Sequence, residues 1–194
     1  MKTIITALLI ALPAFGQENV DLKEARLVLA GFNTAYRRAG ENEGCREAAI
    51  SNLRQKLHPI LLERLIDVGM KEDSVKVRAV VADALGEYTK SEKAAEALAG
   101  WLRKDQFKEE FYVLDQRCLQ SLGRLSPDVA RKQIKAINAW FAFRDGGSAK
   151  SAVMAAALIR DKSSIEPLIA ELERVQFAMR KWLESQKIGG CDGG

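Results

Sequence analysis

Hydrophobic positions recur along this chain at steps of three and four residues, which is the spacing of amphipathic helices. The first such stretch, over 20–38, places on one face the apolar residues Leu22, Ala25, Leu29, Phe32 and Tyr36. Two further helices are predicted over 45–57 and 59–68, the second with Pro59 in its first turn, where proline is tolerated. No stretch alternates with the two-residue period of a strand, so the pattern predicts an all-α fold.

The helical pattern continues after residue 70 with clear start signals. Ser126 is a capping residue, Pro127 suits the first helical position, and Asp128 lies near the positive end of the helix dipole. Ser163 and Glu166 form a capping box that opens a long last helix. The apolar stripe of this last helix comprises Ile165, Ile169, Leu172, Val175, Met179 and Leu183. The helices predicted before it cover 74–88, 91–103, 107–125, 126–141 and 149–159.

A sequence motif that predicts a pair of helices occurs three times after residue 70. Its copies are anchored on Leu85, Leu122 and Leu158, with spacings of 37 and 36 residues, and the region before residue 70 is a looser copy. A fixed period in this range is typical of stacked units, each too small to bury its apolar face alone. We therefore expect a stack whose core includes Leu85, Leu98, Leu102, Leu122, Ile134, Ile137, Leu158 and Leu168.

The clearest copy resembles a known family of repeats. Residues 77–86 read VRAVVADALG, and residues 158–168 read LIRDKSSIEPL. The first run resembles the short bacterial HEAT-like repeat, and the second resembles its turn into the second helix. The resemblance covers about 73–172, although Asp115 and Ser151 replace the family's arginine in the third and fourth copies. It implies an α-solenoid; because the family includes scaffolds, chaperone-like subunits, a chromophore lyase and DNA glycosylases, it implies fold more than function.

The first sixteen residues have the pattern of an export signal. Lys2 precedes an apolar run over 4–12, and the small residues Ala14 and Gly16 suit cleavage before Gln17. The alternative is that this run is the first helix of the mature fold. We expect an exported protein, periplasmic or secreted, without a transmembrane segment, because no later stretch reaches ~20 apolar residues. The expected organisation is a signal peptide at 1–16, a HEAT-like solenoid at 17–188 and a flexible glycine-rich tail at 189–194.

Composition and motifs limit the partners and the reactions that can be expected of this chain. The formal net charge is +4, from charges of both signs spread along the chain, which does not indicate a nucleic-acid partner. The single histidine excludes a paired-histidine zinc motif and leaves none to spare for a Ser-His site. Neither a Cys-x-x-Cys motif nor a phosphate-binding loop is present. We expect no enzyme activity, cofactor or metal site, with Cys45 and His58 as the alternative, a nucleophilic pair.

A binding surface is easier to predict than a reaction. In stacked helix pairs the second helices line the concave side, where a series of cations would steer an acidic protein or peptide toward the groove. A merely solvated face is the alternative, because glutamates are interspersed with the cations. Trp101, Trp140 and Trp182 lie on predicted second helices, and any that is exposed would be a binding anchor. The candidate binding residues are Lys93, Arg103, Arg131, Lys132, Lys135 and Arg174.

The sequence therefore predicts an exported, non-catalytic scaffold that binds a protein or peptide in its groove. Two alternatives stay open. One is an enzyme of the lyase or glycosylase kind found among HEAT-like proteins. The other is a structural segment of an envelope assembly, in which Cys191, one of three cysteines, forms an interchain bridge. The oligomeric state stays open as well.

Overall fold

A computed structural model of the chain describes residues 18–54, 56–104, 111–142 and 146–188. The described residues are helical apart from loops and one two-residue strand pair, which confirms the predicted all-α class. The predicted signal peptide at 1–16, the predicted tail at 189–194 and Cys191 lie outside the described residues. The helices are α1 Leu22–Ala39, α2 Glu43–Leu53, α3 Pro59–Lys71, α4 Val75–Leu85, α5 Glu92–Lys104, α6 Tyr112–Arg124, α7 Pro127–Ala130, α8 Ile134–Asn138, α9 Gly146–Ile159 and α10 Ile165–Ile188.

The helices pack in two layers. In the first layer α2, α4, α6 and α9 follow one another, each in contact with the next. In the second layer α1 packs on α3, α3 on α5, and α5 on both α7 and α8. Connections between the layers bury a common core, since α1 contacts α2, α3 contacts α4, α5 contacts α6 and α8 contacts α9.

Small residues bring successive helices of the first layer close together. A Cβ added at Gly123 of α6 would come within 3.0 Å of the Ala155 Cα in α9. A Cβ added at Gly86 would meet the Arg124 guanidinium at 2.5 Å, and this guanidinium donates to the Asp83 backbone carbonyl at 3.0 Å. Glycine at these two positions therefore permits the contacts that join α4 to α6 and α6 to α9.

The predicted core is mostly confirmed. Leu85, Leu98, Leu102, Leu122, Ile134 and Ile137 are buried, and Leu168 is half-buried against the core. Leu158 was expected in the core and is instead 58% exposed, so that prediction was wrong. Its neighbour Met154 is exposed as well, and Leu158 lies only at the rim of the contact with α6, where its Cδ1 is 3.4 Å from the position of a Cβ added at Gly123.

Several element boundaries differ from the prediction, and two predicted helices differ most. The helix predicted over 45–57 ends at Leu53, because Lys56–Leu57 forms a strand, β2, that pairs in parallel with β1, Glu18–Asn19. Two residues are too few to show strand alternation in a sequence. The helix predicted over 126–141 is divided into α7, a 3-10 turn over 131–133, and α8.

A left-handed residue ends α9 and sets the start of α10. Arg160 has a φ of 56°, and its N–H donates to the Ala156 carbonyl at 2.9 Å. Asp161 then accepts from the Ser163 N–H at 2.8 Å, so this aspartate caps the 3-10 turn at 162–164 in front of α10. With 24 residues, α10 is about 36 Å long, and its main contacts with the rest of the chain are to this turn.

Candidate binding groove

A groove of about 450 Å³ opens between α3 and α5 in the second layer. This volume is in the range of pockets that bind small molecules or the side chains of a peptide. Its buried or half-buried residues are apolar or glycine except for one arginine, whereas its exposed residues include charges of both signs. The α3–α5 groove is lined by Glu63, Ile66, Met70, Arg78, Lys93, Glu96, Ala97, Gly100 and Trp101.

A buried stack of side chains forms the floor of the α3–α5 groove. Trp101 is buried beside Gly69, where an added Cβ would come within 2.3 Å of the indole ring. The buried Arg78 guanidinium lies 5.8 Å from the Trp101 ring centroid and 5.6 Å from that of Phe111. These are cation–π distances, so the Arg78 guanidinium packs between the two aromatic rings and helps to hold Trp101 in place.

The opposite side of the α3–α5 groove is open. A Cβ added at Gly100 would find no heavy atom within 4 Å, and Met70 is 69% exposed. A thioether side chain is flexible and polarisable, so it adapts to ligands of different shape. Neither Gly100 nor Met70 was predicted to take part in binding. The one signal in the sequence is the glycine at position 100, in the interior of a helix whose apolar pattern is otherwise unbroken.

Two of the predicted binding cations link neighbouring helices of the second layer. Lys93 of α5 lines the groove, and its ammonium forms an ion pair with Glu63 of α3. Lys132, in the turn after α7, pairs with Glu92 of α5 at 2.7 Å. These pairs are exposed, so each contributes little to stability. They do neutralise the cations, so an acidic ligand would compete with a glutamate for each lysine.

Three of the other predicted cations have described side chains, and none of the three lines the groove. Arg131 lies 3.1 Å from Asp161, and Arg174 forms an ion pair within α10. Lys135 is exposed on α8. The side chain of Arg103 lies outside the described residues. Among the candidate cations whose side chains the structure describes, only Lys93 lines the α3–α5 groove.

Cys45 and His58 lie toward opposite ends of α2. Cys45 is exposed in the first turn, where its N–H donates to the Asn42 side chain at 3.0 Å. From there α2 rises about 12 Å to Leu53, and His58 follows four residues beyond its C-terminal cap. His58 Nδ1 accepts from the Ile60 N–H at 3.2 Å, so its ring caps α3. The arrangement gives this histidine a structural role.

Polar groups buried near α1 also have structural roles. The Tyr36 hydroxyl donates to Glu72, whose carboxylate lies 3.3 Å from Arg46 Nε and accepts from the Ser74 N–H at 3.0 Å. Burial, followed by the bond to Glu72, raises the pKa of Tyr36 well above its usual value. This cluster joins α1 and α2 to the start of α4.

No known protein family, curated protein or solved structure matches this chain. Within the described residues, no helix combines the length and hydrophobicity needed to span a bilayer. The same residues contain no group of three or more histidine, cysteine, aspartate or glutamate side chains placed to hold a metal ion. Of two described pockets of about 450 Å³, the α3–α5 groove is the one that combines a buried indole with an unfilled glycine position.

Proposed function

We propose that this protein is an exported, non-catalytic interaction module, and that its two layers form an α-solenoid of the HEAT-like type. The proposed ligand is a peptide segment of a protein partner, bound in the α3–α5 groove. The observation that carries the proposal is the open groove itself, with an indole floor and no side chain at Gly100. Export rests on the pattern of residues 1–16, and predicts that the mature chain begins at Gln17.

The lining of the groove favours a particular ligand chemistry. Its apolar floor suits a large apolar side chain of the ligand, which would rest on Trp101 and against Met70. Its rim presents Lys93 and the carboxylates of Glu63 and Glu96, so the flanking residues of the ligand would carry charges. An acidic residue of the ligand would pair with Lys93 in place of Glu63.

A pair of glycine substitutions tests this function. Gly100→Trp fills the groove and displaces no heavy atom within 4 Å of the new Cβ. Gly31→Trp is the matched control, because Gly31 also lies inside a helix, α1, with nothing within 4 Å of an added Cβ. Peptides selected from a phage-displayed random library on the wild-type protein would be measured against both variants by fluorescence polarisation.

We expect the selected peptides to bind wild type and Gly31→Trp alike, and to lose at least tenfold in affinity for Gly100→Trp. Circular dichroism should show all three proteins equally helical. Peptides that bind Gly100→Trp as tightly as wild type would place recognition elsewhere. A library that yields no binding peptide would contradict the proposal itself.

A further inference from the structure

Two contacts show how the helices that border the α3–α5 groove are arranged. Near the start of both helices, the Lys93 ammonium forms an ion pair with Glu63. Near the end of both helices, the Trp101 ring packs on Gly69. The two helices therefore run in the same direction, and the groove between them extends about 10 Å, from this ion pair to the open position at Gly100.

The charges on the rim of the α3–α5 groove are unequal. Glu63 and Lys93 neutralise each other, and the buried Arg78 guanidinium packs against aromatic rings in the floor. Glu96 also lines the groove and is exposed, and its carboxylate forms no ion pair with any described cation. The rim therefore presents one carboxylate that no described side chain neutralises.

Glu96 lies one helical turn before Gly100 on the face of α5 that lines the groove. Residues four apart in a helix are neighbours along one face, and the rise between them is about 6 Å. In an extended peptide, side chains two residues apart lie on the same side, about 6.6 Å from one another along the chain. A peptide that runs along α5 can therefore place one side chain over Gly100 and the next one on the same side beside Glu96.

We propose that the α3–α5 groove selects peptides in which a lysine or arginine stands two residues from the large apolar anchor, and that Glu96 binds this cation. The inference rests on the proposed function, because it requires a peptide whose apolar side chain lies over Gly100. A cation meets a carboxylate that has no described partner, whereas an anion must first displace Glu63 from Lys93. The charges on the rim thus favour a basic ligand over the acidic one expected from the sequence.

The first test compares selections from the phage-displayed random library. Peptides selected on wild type should be enriched about threefold, relative to the unselected library, in lysine or arginine two residues from a large apolar residue. Peptides selected on Glu96→Lys should lose this enrichment, because an ammonium replaces the carboxylate. Glu173→Lys is the matched control. Glu173 is also exposed and forms no ion pair with a described cation, but it lies on α10, outside the groove, so selection should resemble that on wild type.

The second test is a double-mutant cycle measured by fluorescence polarisation. One selected peptide is synthesised with its basic residue and with glutamine in that place. On wild type the glutamine peptide should bind about three- to fivefold more weakly, which is the range of an exposed ion pair. On Glu96→Gln the two peptides should bind alike, whereas Glu173→Gln should behave as wild type.

The outcomes separate this inference from the proposed function. Peptides that lose affinity for Gly100→Trp, but whose basic residue contributes equally with and without the Glu96 carboxylate, would overturn the inference and leave the proposed function standing. So would enrichment of aspartate and glutamate beside the apolar anchor, which would assign recognition to Lys93. Peptides that keep their affinity for Gly100→Trp, or a library without binding peptides, would overturn both.

Discussion

At the scale of the residue, two glycines of the α3–α5 groove show how one residue type serves opposite needs. Gly69 is buried because the indole of Trp101 occupies the space where a Cβ would be. Gly100 is half-exposed, and no atom approaches the position of its absent Cβ. The sequence presents both as interruptions of a helix, and only the packing distinguishes a required glycine from an unoccupied position.

These two glycines predict opposite changes in stability on substitution by alanine. Gly69→Ala should lower the free energy of unfolding by about 1 to 3 kcal/mol, because Trp101 must move away from the new methyl group. Gly100→Ala should raise the free energy of unfolding by up to about 1 kcal/mol, since alanine favours a helix interior and meets no neighbour. Urea titration would measure both, and equal effects would contradict the groove floor described above.

Tyr88 predicts part of the alkaline sensitivity of the fold. Burial raises the pKa of Tyr88 to about 12, whereas the unfolded chain ionises near 10. Because the pKa of Tyr88 is higher in the folded chain than in the unfolded chain, ionisation of this hydroxyl favours unfolding. The contribution of the neutral hydroxyl to the free energy of unfolding is fully present below pH 10 and is lost as pH rises through 12; it amounts to about 2 kcal/mol. Tyr88→Phe should therefore lose less unfolding free energy than wild type between pH 9 and 11.5. Identical pH profiles would exclude this role.

At the scale of the element, the pattern of apolar positions predicts helices well and their neighbours poorly. Leu122 and Leu158 occupy equivalent positions in the predicted repeat, yet Leu122 is buried and Leu158 is exposed. Within the described first layer, α6 has a neighbouring helix on each side, whereas α9 has one on a single side. The apolar stripe of α10, which is predicted from the same spacing and is exposed, illustrates the same point. A spacing of three and four residues predicts that one face of a helix is apolar, but it does not predict whether another helix covers that face.

The exposure of α10 predicts that most of it is dispensable for folding. A chain that ends after Ala170 keeps Leu168, a residue of α10 that packs against the core. Its thermal midpoint should stay within about 3 °C of wild type at protein concentrations where wild type is monomeric, because the described side chains removed make few core contacts. A large drop, measured by circular dichroism, would show that the described exposure of α10 is not its state in solution.

At the scale of the whole molecule, the hydrophobic pattern was enough to predict an all-helical chain, and the period of 36 to 37 residues predicts that its helices stack as repeats. It could not predict the groove, which depends on the absence of a side chain at Gly100 and on the exposure of Met70. Nor could charge alone place the candidate cations, since Lys93 and Lys132 each pair with a glutamate from the preceding helix of the second layer. Those partners lie 30 and 40 residues away in the sequence.

Packing in sequence order predicts a gradient of local stability. The helices α4 and α6 have neighbours on both sides of the first layer, whereas α10 has few contacts. Amide protons of α4 and α6 should therefore exchange most slowly and those of α10 after Ala170 fastest, by several orders of magnitude. Hydrogen exchange with mass spectrometry would measure this gradient, with peptides resolved by helix at a concentration that keeps the chain monomeric. Uniform protection across all helices would contradict it.

The uncovered side of α9 bears on how such a chain could be lengthened. Met154 and Leu158 of α9 are each more than half exposed, and within the described residues no further helix of the first layer follows them. A duplicate of 111–138 inserted after α9 could pack on these exposed apolar side chains, as α9 packs on α6. Growth by tandem duplication would begin here, with no new hydrophobic surface to evolve.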